Sequence, residues 1–224
     1  MEFAVFPCYY VSMKIPEIRI NFAWLLFYGE SQSLAETHNF KLESYDHYDQ
    51  KTVEYRKAWK KHEKEIIQGL QTALGVEFYK PVIDVSCTPY FIPKSDPLIM
   101  NFKETPDQFI DVLTHELCHV LLTDNSKHQS NGKTPKLDLI AIWKEMFNGE
   151  KDFNVLAHIP VHALCKYIYL DILKEPSRLE RDKKAVEEWD NSGAYTTSWA
   201  YVENHDYRDI IEQLKKSYEG RNDV

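Results

Sequence analysis

The chain lacks several features that would narrow its role at once. No basic tract is present: the formal net charge is −8 over 224 residues. Phosphate binding needs clustered Lys and Arg, so a nucleic-acid partner is not expected. Lys57, Lys60, Lys61 and Lys64 alternate with Glu54, Glu63 and Glu65, which reads as a solvated helix face braced by charge pairs. No apolar run is long enough to cross a bilayer, so no membrane role is expected. Cysteine is sparse: Cys8, Cys87, Cys118 and Cys165 lie far apart, with no C-x-x-C. That usage fits a reduced, cytoplasmic protein. Met1 to Val11 is apolar but has neither a charged n-region nor a small-residue cleavage site, so no signal peptide is expected. Residues 1–12 read as an extension outside the core. No internal repeat, low-complexity tract or linker divides the chain, and one domain over residues 1–224 is expected.

Against this plain background, one stretch carries chemistry: His115-Glu116-Leu117-Cys118-His119, an H-E-x-x-H run. Its flanks predict a helix. Thr105-Pro106-Asp107-Gln108 supplies a cap, a proline at the first helical position, and Gln three residues after the cap. Phe109, Ile110, Val112, Leu113, Leu117, Val120, Leu121 and Leu122 then make the segment apolar almost all round, the mark of a buried helix. Two imidazoles and a carboxylate are costly there without partners. Four residues apart, His115 and His119 point the same way from adjacent turns, and a divalent metal satisfies both. Glu116 sits about 100° round the helix, able to approach a water at that metal without ligating it. Cys118 projects away from both histidines and reads as a small buried hydrophobe, as does Cys165. The rival reading is a pair of core histidines bonded to backbone, with Glu116 at the surface.

A catalytic zinc takes three protein ligands. Leu122 and Asn125 occupy the positions where the metzincin pattern needs Gly and His, which excludes that subclass. His128 falls in what reads as a polar loop, Thr123 to Lys133, and is a poor candidate. His158 and His162, four apart in the apolar stretch 155–164, are better: either completes the site and the other supports it, and His158 is preferred because the pair resembles thermolysin-like sites, where the ligand comes one turn before its supporting residue on the same helix. Pro160 between them is expected to start or kink a helix. Glu145, Glu150 and Asp171 are weaker alternatives. For an oxyanion donor, Tyr195, Tyr201 and His205 lie in or after an aromatic segment expected to join the last two helices, and Tyr195 is preferred.

The other elements are read from period and turn chemistry. Alternation of Ile18, Ile20, Phe22 and Trp24 predicts a strand. Tyr48, Tyr55, Trp59, Ile66 and Leu70 form the stripe of a helix from about Ser44 to Leu74, ended by Gly75. Strands are expected around Val82–Val85 and over residues 97–102, the latter as a sheet edge open to a peptide. Helices are expected from Thr134-Pro135, over about 154–173, from a capping box at Ser177-Glu180, and over about 206–218. The sum is an α+β fold: a small mixed sheet, an active-site helix, and a mostly helical C-terminal half.

Over residues 97–165 the chain resembles the zincin metallopeptidases, and among them small gluzincin-type peptidases, on the H-E-x-x-H run, the strand before it and the helix after it. The resemblance implies a zincin-like fold, Zn2+ held by His115 and His119, and Glu116 as the base that activates water against a peptide or protein substrate. Gluzincins use Glu as the third ligand, whereas the best-placed residues here are histidines. Two alternatives stand beside it: a zincin-derived protein that holds metal without turnover, and a metal-free helical interaction domain.

Overall fold

The computed structural model describes residues 13–26, 29, 32–38, 41–128 and 139–219. The fold is α+β, with a four-stranded mixed sheet. Strand β1, Glu17–Phe22, buries Ile18 and Ile20 on one face, as its period-two pattern requires. The strand stops before Trp24, which begins the single turn α1, Trp24–Leu26; α2, Gln32–His38, follows. Helix α3, Tyr45–Leu74, then crosses back to β2, Val82–Thr88, which pairs parallel to β1. The boundaries of α3 follow from its ends. Ser44 accepts from the His47 amide, and Gly75 takes the left-handed conformation that lets its N–H reach the Gln71 carbonyl.

Strands β3, Lys94–Ser95, and β4, Leu98–Asn101, form a short hairpin. Strand β4 runs parallel to β2 on one side and antiparallel to β3 on the other. The expected edge at 97–102 is therefore an interior position, and β3 is the edge. The cause is the Lys94-Ser95-Asp96-Pro97 turn, which folds the preceding residues back on Leu98 and Ile99.

From β4 the chain enters α4, Pro106–His128, which carries the H-E-x-x-H run. Its start is a reciprocal box: Gln108 N donates to Thr105 Oγ1 and Thr105 N donates to Gln108 Oε1. The expected loop from Thr123 is helical as far as His128. Asp124 is buried within an ion pair's reach of Lys80, at 3.8 Å, so the polar composition there still faces protein. The expected start at Thr134-Pro135 lies outside the described residues; α5 is described over Leu139–Met146.

Helix α6, Phe153–Tyr167, begins at an Asp152 cap and runs through Pro160. Of the two expectations for Pro160, a start or a kink, the start is overturned: Pro160 lies inside the helix, among buried residues on either side. A wider π turn, Ile168–Ile172, ends it. Helix α7, Pro176–Trp189, starts with proline at its first turn rather than at the Ser177 box, because Pro176 already has the helical φ. The aromatic segment after it is itself a helix, α8, Ala194–Asn204, and α9 spans Tyr207–Glu219. Buried side chains of α3, α4, α6, α8 and α9 join those of the sheet in one hydrophobic cluster. No helix among the described residues is long and apolar enough to cross a membrane.

Candidate metal centre

Two helices supply four imidazoles. Helix α4 brings His115 and His119 from adjacent turns, with ring centroids 5.1 Å apart. Helix α6 packs against it and places the His158 ring 5.4 Å from His115 and 5.0 Å from His119. One ring nitrogen from each of the three lies within 4.8 Å of the others, close enough to hold a metal ion. Tetrahedral zinc with N ligands at about 2.1 Å sets them about 3.4 Å apart. The set therefore needs only small side-chain rotations to close.

The hydrogen bonds fix which nitrogens are free. His158 Nδ1 lies 2.6 Å from the Asn154 carbonyl, which only accepts, so Nδ1 carries the proton and Nε2 keeps its lone pair. His162 is fully buried, and its Nδ1 lies 3.0 Å from Ser198 Oγ. Ser198 donates its own proton to the Tyr195 carbonyl at 2.9 Å, so it accepts from His162 Nδ1. That leaves His162 Nε2 as a lone-pair acceptor with no partner among the described residues. Trp199 lies flat on the His162 ring, 4.2 Å away at 9°, and fixes its plane. The His162 ring stands 5.7 Å from His115 and 5.8 Å from His158 and is not one of the three whose ring nitrogens lie within 4.8 Å of one another.

Burial is the first cause of every charge shift here. It drives His115 and His162 well below the ordinary histidine range and takes His119 down to about 3, with neighbouring imidazoles adding to each. His158 is lowered by burial too, against the opposing pull of the Asn154 carbonyl. The four rings are therefore neutral at pH 7 and offer lone pairs, the form a cation binds. Glu116 is 7% exposed, and burial raises its carboxyl to about 7, partly offset by Lys103. A group with that value gives and takes protons near neutrality.

Tyr195 enters from α8. Its ring is 3.9 Å from His158 and 6.2 Å from His115, and Trp189 packs edge-on against it at 4.5 Å. Burial, with the charge of Glu116, pushes its hydroxyl up to about 12, so it remains a donor. Its position depends on Asp190, whose carboxylate accepts from the backbone N–H groups of Gly193 and Thr196 and sets the start of α8.

The remaining candidates go elsewhere. Tyr201 and His205 stack on each other at 4.0 Å, away from the trio. Asp171 is bound by Tyr207 and Arg208. Glu150 accepts from the Lys151 and Asp152 amides, and Glu145 is exposed. The His128 side chain lies outside the described residues. Sequence reasoning missed Ser198, Trp199 and Lys103. Ser198 is 36 residues from the histidine it holds, and no local spacing signals that contact.

The donor set fits a divalent metal: neutral imidazoles with ring nitrogens within 4.8 Å of one another, one proton-bearing nitrogen fixed by a carbonyl, and one buried nitrogen otherwise unsatisfied. Comparison of the chain with protein-family models, with curated proteins and with solved structures returns no match.

Proposed function

We propose that this chain is a zinc-dependent peptidase of zincin type. The convergence of His115, His119 and His158 on one point carries the reading, with the buried carboxyl of Glu116, raised to about 7, on the next residue of the same helix. When bound, a divalent cation supplies Lewis acidity and lowers the pKa of a coordinated water. Glu116 takes the proton of the attacking water and returns it to the leaving amine. Tyr195, held protonated, donates to the carbonyl oxygen as that oxygen gains charge. The Asn154 carbonyl keeps His158 in its binding tautomer, and Ser198 does the same for His162. Hydrolysis of a peptide library by the zinc-loaded protein tests the reading. Glu116→Gln is expected to retain about one zinc and to lose about 10²–10⁴-fold in turnover. Full activity in that variant removes the assigned base.

One observation favours a second reading. His162 Nε2 is buried beside the trio without a partner among the described residues, and a fourth protein ligand closes a zinc site to substrate. In that case the protein holds metal without turnover. The two readings part on His162→Ala. A supporting histidine costs about 10–100-fold in metal affinity when removed. A true fourth ligand costs as much as His158→Ala, and the remaining open position changes the absorption spectrum of a cobalt-substituted site.

A further inference from the structure

Three of the five tryptophans are buried: Trp59, Trp143 and Trp199 are 1%, 3% and 4% exposed. Trp189, the last residue of α7, is 50% exposed, and it does not lie on a remote surface. Its ring packs edge-on against Tyr195, at 4.5 Å and 72°. The Tyr195 ring in turn lies 3.9 Å from His158. Tyr195 is half-buried, and His115 and His119 keep part of their surface open. Aromatic surface therefore runs from the metal ligands, across Tyr195, to a half-open indole at the rim.

The backbone between the two rings is braced. Asp190 accepts from the amides of Gly193 and Thr196 and from the hydroxyls of Ser192 and Thr196. The ring contact sets the side chains themselves, so a ligand that covers the indole lies beside Tyr195. Half an indole in water forgoes the gain that its apolar surface would make on burial. The charges next to it say what would cover it. Glu188 and Asp190 flank Trp189 in the chain, so an acidic side chain is disfavoured there. A cation over an exposed ring gains about two- to fivefold in affinity. Burial of a large apolar side chain gains about tenfold or more, and is the larger effect.

We propose that Trp189 receives a large apolar side chain of the substrate, on a residue next to the bond that is cut, and so sets the specificity of the site. Tyr195 faces the carbonyl oxygen of that bond, so the group that covers Trp189 belongs to a neighbouring residue. The inference rests on the peptidase reading for the bond cut, but not for the apolar contact.

The test is equilibrium binding of N-acetyl-Gly-Gly-X-Gly-Gly amides to the full chain, metal-free and zinc-loaded, by calorimetry at pH 7, beside hydrolysis of the same peptides. X is Phe, Leu, Ala, Lys or Glu. The Phe and Leu peptides are expected to bind about tenfold more tightly than the Ala peptide, with zinc or without it. Trp189→Ala is expected to bring that ratio to about one, and Trp189→Phe to keep most of it. Half of Trp189 is already in water, so both variants are expected to fold. Tyr195→Phe keeps its ring and is expected to lower turnover while leaving the ratio unchanged. A Trp189→Ala protein whose turnover falls with the ratio unchanged makes Trp189 a mere support for Tyr195 and overturns the proposal. So does equal binding of the Phe, Leu and Ala peptides, or tightest binding of the Lys peptide. An apolar preference without hydrolysis of any peptide leaves Trp189 standing and removes the peptidase; hydrolysis without preference does the reverse.

Discussion

Helix α4 borders two buried polar clusters that differ in one respect. Around Arg178 the charges are answered within the chain. Arg178 is 1% exposed and donates to Asp111 at 2.7 Å, to Glu175 at 2.6 Å, and to Asp107 and the His62 ring at 3.3 Å each. Arg181 occupies the second oxygen of Asp111 at 2.9 Å. Around His115 neutral imidazoles face one another: one nitrogen of His158 and one of His162 is hydrogen-bonded, but His162 Nε2 has no partner among the described residues. A low-dielectric interior makes an unanswered polar group expensive. The Arg178 guanidinium and the Asp111 carboxylate are therefore satisfied within the protein, whereas the second cluster leaves a buried nitrogen without a partner among the described residues. The first reads as structural, the second as a binding site.

This contrast can be broken at either end. The largest effect is expected from Arg178→Met, which strips a buried carboxylate of its main partner. It should cost about 3–5 kcal/mol in urea unfolding, with zinc or without it. A loss below about 1 kcal/mol would show that the Arg178 network is not a closed unit. Next comes metal addition. Zinc at about 100 times its dissociation constant should raise unfolding stability by about 2.7 kcal/mol. The gain should vanish in His119→Ala and persist in Arg178→Met if that variant folds. An equal gain in both variants would place the metal elsewhere.

The two regions also differ in their response to pH. In the metal-free protein the cluster histidines have folded values below their unfolded ones, His119 at about 3. The unfolded chain then binds more protons between about pH 3 and 6.5. Stability is complete above that window and falls as the pH drops through it, by about 1.4 kcal/mol per pH unit for His119. His119→Leu should flatten the fall, as read from melts between pH 4 and 7. The smallest effect belongs to Asp182, beside Asp111, whose Oδ2 is buried without a partner among the described residues. Burial raises it to about 7, so it contributes less as the pH rises from about 4 to 7. Asp182→Asn should remove that opposite slope and add about 1 kcal/mol at pH 8. An unchanged slope would mean that the Asp182 carboxylate is stabilised in the folded chain by a further donor or cation.

Much of the fold is legible from local patterns. The α3 stripe, its Ser44 and Gly75 ends, and the Thr105 box are readable because capping and periodicity act within one or two turns. The pairing of His115 with His119 is readable for the same reason. Boundaries fail where two signals compete: Pro176 against Ser177 for the start of α7, and polar composition against helix continuation after Thr123. The sheet edge is misplaced from sequence because strand order depends on which segments meet, and Leu98–Asn101 meets two neighbours.

The sequence by itself determined that two imidazoles and a carboxyl would project from adjacent turns of one apolar helix, since helix pitch and capping are local. Spacing alone did not separate His158 from His162, which share an apolar stretch; the preference for His158 came from the resemblance, and the trio contains His158. Packing of α6 against α4 brought His158 into the trio, and the approach of α8 set Ser198 and Trp199 on His162. Those placements come from side chains tens of residues apart burying one another, and no window of sequence contains them.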